Sequence, residues 1–90
     1  MPYPGTRPLK DRIEVELVEA DVEIGFRLVD LAQASATDDP LFAAGATESA
    51  QAVCRDIEQR LAQMEDHERA CFRPLVDELC REVESVRPRG

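Results

Sequence analysis

The chain has 90 residues, with 19 Asp and Glu against 11 Lys and Arg, so its formal net charge is −8. Hydrophobic residues make up 43% of the sequence and aromatic residues 4%, which suffices for one small core and excludes a multidomain enzyme. Because neutralising phosphates requires clustered Lys and Arg, the acidic balance argues against binding to nucleic acid or to anionic membranes.

The N-terminal region and the cysteines predict a cytoplasmic protein. The first eight residues, Met1 to Pro8, lack the apolar region of a secretory signal. Charged residues interrupt every apolar run, so we expect no membrane-spanning segment. Cys54, Cys71 and Cys80 have no paired spacing, which is typical of free thiols in a reducing compartment. Three prolines and a glycine near the start predict an extended N-terminal arm over residues 1–7.

Two helical patterns precede residue 66. The first covers about residues 8–36, where apolar residues recur at spacings of three and four. Asp39 is the predicted N-cap of the next helix and Pro40 its first residue, because a residue before proline is pushed out of the α region. The second pattern covers about residues 40–65 and has one apolar stripe. That stripe comprises Phe42, Ala46, Ala50, Val53, Ile57, Leu61 and Met64.

The third helical pattern covers about residues 67–87, with Asp66 as its predicted cap. Its single stripe comprises Phe72, Leu75, Leu79, Val83 and Val86. Pro74 cannot donate to the carbonyl of Ala70, so the helix either bends at Pro74 or begins there, and we favour the bend. Residues 88–90 form a short tail that we expect to be frayed. The three patterns predict one all-α domain over residues 1–90, an up-down-up bundle of antiparallel helices.

Helix one carries two apolar faces where the other helices carry one. The isoleucine–leucine face comprises Ile13, Leu17, Ala20, Ile24, Leu28 and Leu31. The valine face, about 150° away at about 100° per residue, comprises Val15, Val18, Val22, Phe26 and Val29. The hairpin of helices two and three covers one face, and the other needs a partner. We expect the valine face, with its heptad-like spacing, to be the interface of a homodimer or with another helical protein. In the alternative, bundle curvature and the N-terminal arm cover it within a monomer.

Candidate chemical sites are few. His67 and Cys71 have the i, i+4 spacing of two ligands in a helical zinc site, but no third ligand follows from the sequence. The sequence contains no glycine-rich phosphate loop and no evident pairing of a nucleophile with a base. It therefore predicts no enzyme, no catalytic residues, no cofactor and no bound metal. A small-ligand or metal-binding protein using the His67/Cys71 region is the alternative function.

Residues 11–30 hold seven acidic residues and two arginines, a net charge of −5. Glu16, Glu19 and Glu23 form a candidate acidic docking strip for a basic partner, although a solvated face is the ordinary role of such a row. The leading hypothesis is a non-enzymatic, self-associating protein–protein interaction module.

Overall fold

The computed structural model describes residues 9–87, with side chains from Arg12 onward. Over this range the chain forms three packed helices and no strand: α1 (Leu9–Ser35), α2 (Pro40–Ala62) and α3 (Asp66–Val86). The predicted all-α three-helix bundle is confirmed. The predicted N-terminal arm (1–7) and the predicted tail (88–90) lie outside the described residues.

The turn between α1 and α2 forms as the sequence predicts. The carboxylate of Asp39 accepts a hydrogen bond from the backbone N–H of Phe42 at 3.1 Å, and Pro40 occupies the first turn, where no donor is needed. The backbone N–H of Asp39 also donates to the carbonyl of Ser35 at 2.8 Å. One short turn therefore ends α1 and begins α2.

Arg69 holds the connection between α2 and α3. Its Nε donates to the carbonyl of Leu61 at 2.9 Å and its Nη2 to the carbonyl of Met64 at 2.7 Å. The Leu61 carbonyl also accepts from the backbone N–H of Met64 at 3.1 Å, so Arg69 reinforces the end of α2 and fixes the turn that follows it. The predicted cap of α3 was wrong by one residue. Glu65 occupies the N-cap position, while Asp66 is the first helical residue and pairs with Arg69 at 3.1 Å.

Helix α3 continues through Pro74 from Asp66 to Val86, so the helix does not begin at that proline. Pro74 leaves the carbonyl of Ala70 without its usual helical donor. Both residues are exposed, and water can take the place of the missing donor. The position of Pro74 on the solvent side explains why the helix tolerates it.

The core lies between the three helices and draws on all of them. It comprises Val18, Val22, Val29, Ala50, Cys54, Ile57, Leu61, Met64, Val76, Leu79 and Val83. Most of these side chains are aliphatic, so the bundle is held mainly by burial of apolar surface.

Gly25 allows α1 and α3 to approach closely. A Cβ placed on Gly25 would lie 2.7 Å from Cδ2 of Leu79, whose side chain is fully buried. By contrast, a Cβ on the exposed Gly45 of α2 would meet no atom within 4 Å. The two helical glycines therefore have different roles, and only Gly25 is required by packing.

Replacing each glycine with alanine tests this difference. Gly45→Ala should raise the free energy of unfolding by about 0.5–1 kcal/mol, because alanine is the better helix former. Gly25→Ala should lower it by about 1 kcal/mol, since overpacking against Leu79 outweighs the same gain in propensity. Urea denaturation followed by circular dichroism measures both. Equal stabilisation by the two substitutions would contradict the close approach of α1 and α3.

Candidate interaction surface

The structure assigns the two apolar faces of α1 in the opposite way to the sequence-based prediction. Val18 and Val29 are 0% exposed and Val22 is 4% exposed, all within the core of the bundle. Val15 and Phe26 are partly buried and pack against the same core. The prediction that the valine face (Val15, Val18, Val22, Phe26 and Val29) lies free for a partner is therefore wrong.

The size of the side chains explains which face turns inward. Valine is shorter than leucine or isoleucine, and Gly25 lies next to the valine face on the helical wheel. Together they make that side of α1 thin enough for Leu79 of α3 to pack directly on the backbone. The periodicity of the sequence shows that α1 has two apolar faces, but it does not show which face lets α3 pack closest to the backbone.

The isoleucine–leucine face points outward. Ile13 is 45% exposed, Leu17 38%, Ile24 47% and Leu31 46%, and Ala20 between them is also exposed. These five residues follow one another at intervals of four, three, four and seven positions, which is the register of a coiled-coil seam with Arg27 at the one polar position. The sixth member of the face, Leu28, packs partly against the core. A row of exposed, branched apolar side chains on one helix is typical of an interaction site.

The exposed edge of this face is acidic. Glu16, Glu23 and Asp30 directly precede the seam residues Leu17, Ile24 and Leu31, so they border the face on one side. All three acids are exposed, as is Glu19, which lies further round the helix. Glu23 forms an ion pair with Arg27 at 2.9 Å, and both side chains are largely solvated. The predicted docking strip of Glu16, Glu19 and Glu23 thus lies on the solvent side of α1.

On the opposite edge, Arg60 of α2 compensates part of the acidic charge. Arg60 places Nη1 at 3.6 Å from a carboxylate oxygen of Glu14 and Nε at 3.4 Å from one of Asp21. Both acidic side chains are less than a third exposed, so these ion pairs join α1 to α2. The two edges of the isoleucine–leucine face therefore differ in exposure: Glu14 and Asp21 are partly buried and share Arg60, whereas Glu16, Glu23 and Asp30 are exposed to solvent.

The His67 region contains a small group of ligand-type side chains without Cys71. Ligand atoms of Glu65, His67 and Glu68 lie within 4.8 Å of one another, and Nδ1 of His67 is 3.5 Å from Glu65. Glu65 and His67 are exposed and Glu68 is buried, whereas Cys71 is exposed and outside this group. Exposed carboxylates near a histidine are common at a helix start, where they favour the helix dipole. The arrangement by itself does not assign a metal site.

Two cysteines that have no paired spacing in the sequence come together across α2 and α3. Cys54 is buried and Cys80 partly buried, and both line a cavity of 390 Å³ at the surface of the bundle. Burial, followed by hydrogen bonding to Cys80, raises the pKa of the Cys54 thiol to about 12. The one available sequence signal is that each cysteine directly follows a residue of its helix's apolar stripe.

Comparison with known proteins adds no functional assignment. Within the described residues, no helix combines the length and apolar character needed to cross a membrane. No protein-family model matches the chain, and no curated protein or solved structure shows significant similarity to it.

Proposed function

We propose that this protein is a non-enzymatic interaction module that binds an amphipathic helix of another protein along the isoleucine–leucine face of α1. The observation that carries this proposal is the exposed row of Ile13, Leu17, Ile24 and Leu31 in coiled-coil register. Covering apolar surface gains about 25 cal/mol per Å², so a partner helix that buries this row gains several kcal/mol. Within the bundle this row stays exposed, so that part of the apolar surface does not contribute to its folding free energy.

Charge selects the kind of partner. Residues beside the seam of a two-helix interface face the flanks of the opposite helix. In an antiparallel pair of two copies of α1, Glu16, Glu23 and Asp30 would face their own counterparts. In a parallel pair they would face Glu14 and Asp21 of the other copy. Because like charges repel in both orientations, a helix with Lys or Arg beside its apolar seam is the better complement.

Self-association stays a prediction, but the sequence placed it on the valine face, which lies in the core, so a homodimer would have to use the isoleucine–leucine face instead. Salt distinguishes such a homodimer from binding of a basic helix. Added salt screens repulsion between two acidic chains and so strengthens a homodimer. The same screening weakens attraction between the acidic edge and a basic partner. The two occupants of the isoleucine–leucine face therefore respond to ionic strength in opposite directions.

Two synthetic helical peptides provide the test. Both carry leucine at the seam positions of about four heptads, and they differ only in having lysine or glutamate at the flanking positions. Fluorescence anisotropy should show the lysine peptide binding the protein, with affinity falling at least about tenfold between ~0.05 and ~0.5 M salt. The glutamate peptide should bind far more weakly. Equal binding of both peptides would contradict the role of the acidic edge.

Sedimentation of the protein alone completes that experiment. A monomer across the micromolar range leaves the isoleucine–leucine face available to the lysine peptide, as the proposal requires. A dimer that strengthens with salt and excludes the lysine peptide would assign the face to a second copy of the chain. The proposal also places the protein in the cytoplasm, the ordinary compartment of proteins with free cysteines.

A further inference from the structure

Two cysteines line the cavity between α2 and α3, and one of them, Cys80, is partly exposed to solvent. Cys54 belongs to the buried core, and Cys80 packs against that core while keeping part of its surface in solvent. Cys80 also borders a second, larger surface depression with Asp77 and Arg81. We propose that Cys54 and Cys80 form a dithiol site that a low-molecular-weight disulfide, such as glutathione disulfide, oxidises to a disulfide bond joining α2 to α3.

Geometry supports a bond within the chain. Cys54 of α2 and Cys80 of α3 line the same cavity, and Cys80 is the neighbouring side chain that acts on the Cys54 pKa, so the two residues are neighbours across the helix interface. A disulfide draws the sulfurs to about 2.05 Å and requires suitable side-chain torsions, which the partly exposed Cys80 is free to adjust. Cys71 is exposed on the same helix as Cys80 and lines neither cavity. Cys71 is therefore outside the proposed dithiol site.

The reaction consists of two thiol–disulfide exchanges. The thiolate of Cys80 attacks one sulfur of glutathione disulfide, forms a mixed disulfide and releases one glutathione thiolate. The thiolate of Cys54 then attacks the sulfur of Cys80, forms the Cys54–Cys80 bond and releases the second glutathione. Each released thiolate takes up one of the two protons that the cysteines lose. The protein is oxidised by two electrons and glutathione disulfide is reduced by the same number.

The second exchange, the attack of Cys54 on the mixed disulfide, is the rate-limiting step. In the dithiol, burial, followed by Cys80 and Glu58, raises the Cys54 pKa to about 12. In the mixed disulfide Cys80 is no longer a thiol, and burial with Glu58 still holds the Cys54 pKa above its ordinary value. Arg55, Glu84 and Arg87 complete the charged lining of the cavity. Since only the thiolate attacks, ring closure should accelerate about tenfold per pH unit through the range below that pKa. The mixed disulfide at Cys80 should therefore be visible near pH 7 and short-lived near pH 9.

The test uses the full chain carrying Cys71→Ser. Trypsin leaves residues 71 and 80 on one peptide, because Pro74 follows Arg73 and blocks cleavage there. Removing the thiol at position 71 makes the assignment unambiguous. With excess glutathione disulfide at about pH 9, intact mass spectrometry should show a final loss of two hydrogen atoms and no retained glutathione. Digestion without reductant should yield one peptide pair joined through Cys54 and Cys80.

A second variant, Cys71→Ser with Cys80→Ser, should leave Cys54 as an unmodified thiol under the same conditions, because Cys54 is buried. The oxidised chain should also unfold at a higher urea concentration than the reduced chain, and reductant should abolish the difference. A glutathione adduct that persists at Cys80, two thiols still free at equilibrium, or a disulfide between two chains would each overturn the proposal.

Discussion

Replacing Ile24 with Glu should abolish binding of the lysine-flanked peptide while leaving the bundle folded. Ile24 is 47% exposed and lies near the centre of the isoleucine–leucine face. A carboxylate there disrupts the apolar seam of the complex, and truncation of a central interface residue costs about 2 kcal/mol or more. We therefore expect an affinity loss of at least about thirtyfold. Anisotropy measures the affinity, and circular dichroism confirms that the helices persist.

Leu41→Glu is the matched control for that experiment. Leu41 is 87% exposed on α2, so its replacement makes the same change in charge and removes a similar apolar side chain from solvent-exposed surface. It lies on the side of α2 opposite the buried residues Ala43, Ala50 and Leu61. Peptide affinity should change by less than about threefold, within the range expected of screened charge. Equal losses for Ile24→Glu and Leu41→Glu would show that added negative charge, and not the α1 surface, weakens binding.

Val22→Glu should unfold the protein. Val22 is 4% exposed in the core, and a carboxylate there loses its hydration without gaining a partner. Together with the lost valine contacts, this should cost about 4 kcal/mol or more, which is most of the stability of a domain of this size. Far-ultraviolet circular dichroism and urea denaturation measure the loss of helices.

Val22→Ala is the conservative companion of that substitution. It leaves a small cavity and should lower the free energy of unfolding by about 2 kcal/mol, with the fold retained. Had the valine face been a surface for a partner, Val22→Glu would give a well-folded monomer. A cooperative urea transition for Val22→Glu, with wild-type helicity, would therefore contradict the core described above.

The sequence predicts the three helices and the start of α2, where local chemistry decides, whereas α2 ends at Ala62, before the predicted residue 65. Asp39 and Pro40 start α2 through a cap and a fixed backbone angle, and both act within one turn of the chain. The start of α3 was predicted one residue late because the deciding partner is Arg69, which pairs with Asp66 and donates to a carbonyl of α2 and to one of the α2–α3 connection. That contact joins two helices and leaves no trace in local periodicity.

The candidate site was predicted only in part. The pattern on α1 established that one apolar face exceeds what the bundle needs, but the choice between faces depends on how closely α3 approaches Gly25. The acidic residues Glu16 and Glu23 were placed correctly on the solvent side. Glu14 and Asp21 differ from them in forming ion pairs with Arg60 of α2, which local periodicity does not predict. The proximity of Cys54 and Cys80 likewise depends on how α2 and α3 pack. Sequence periodicity carries no information about which residues of different helices are in contact.

Chemical-shift mapping by NMR tests the central claim most directly. The isotope-labelled protein is titrated with the lysine-flanked peptide, and the methyl signals of valine, leucine and isoleucine are followed. The account predicts that the largest shifts occur at Ile13, Leu17, Ile24 and Leu31, with small changes at the core residues Val18 and Val29. Shifts concentrated on α2 or α3, with the isoleucine–leucine face of α1 unchanged, would contradict it.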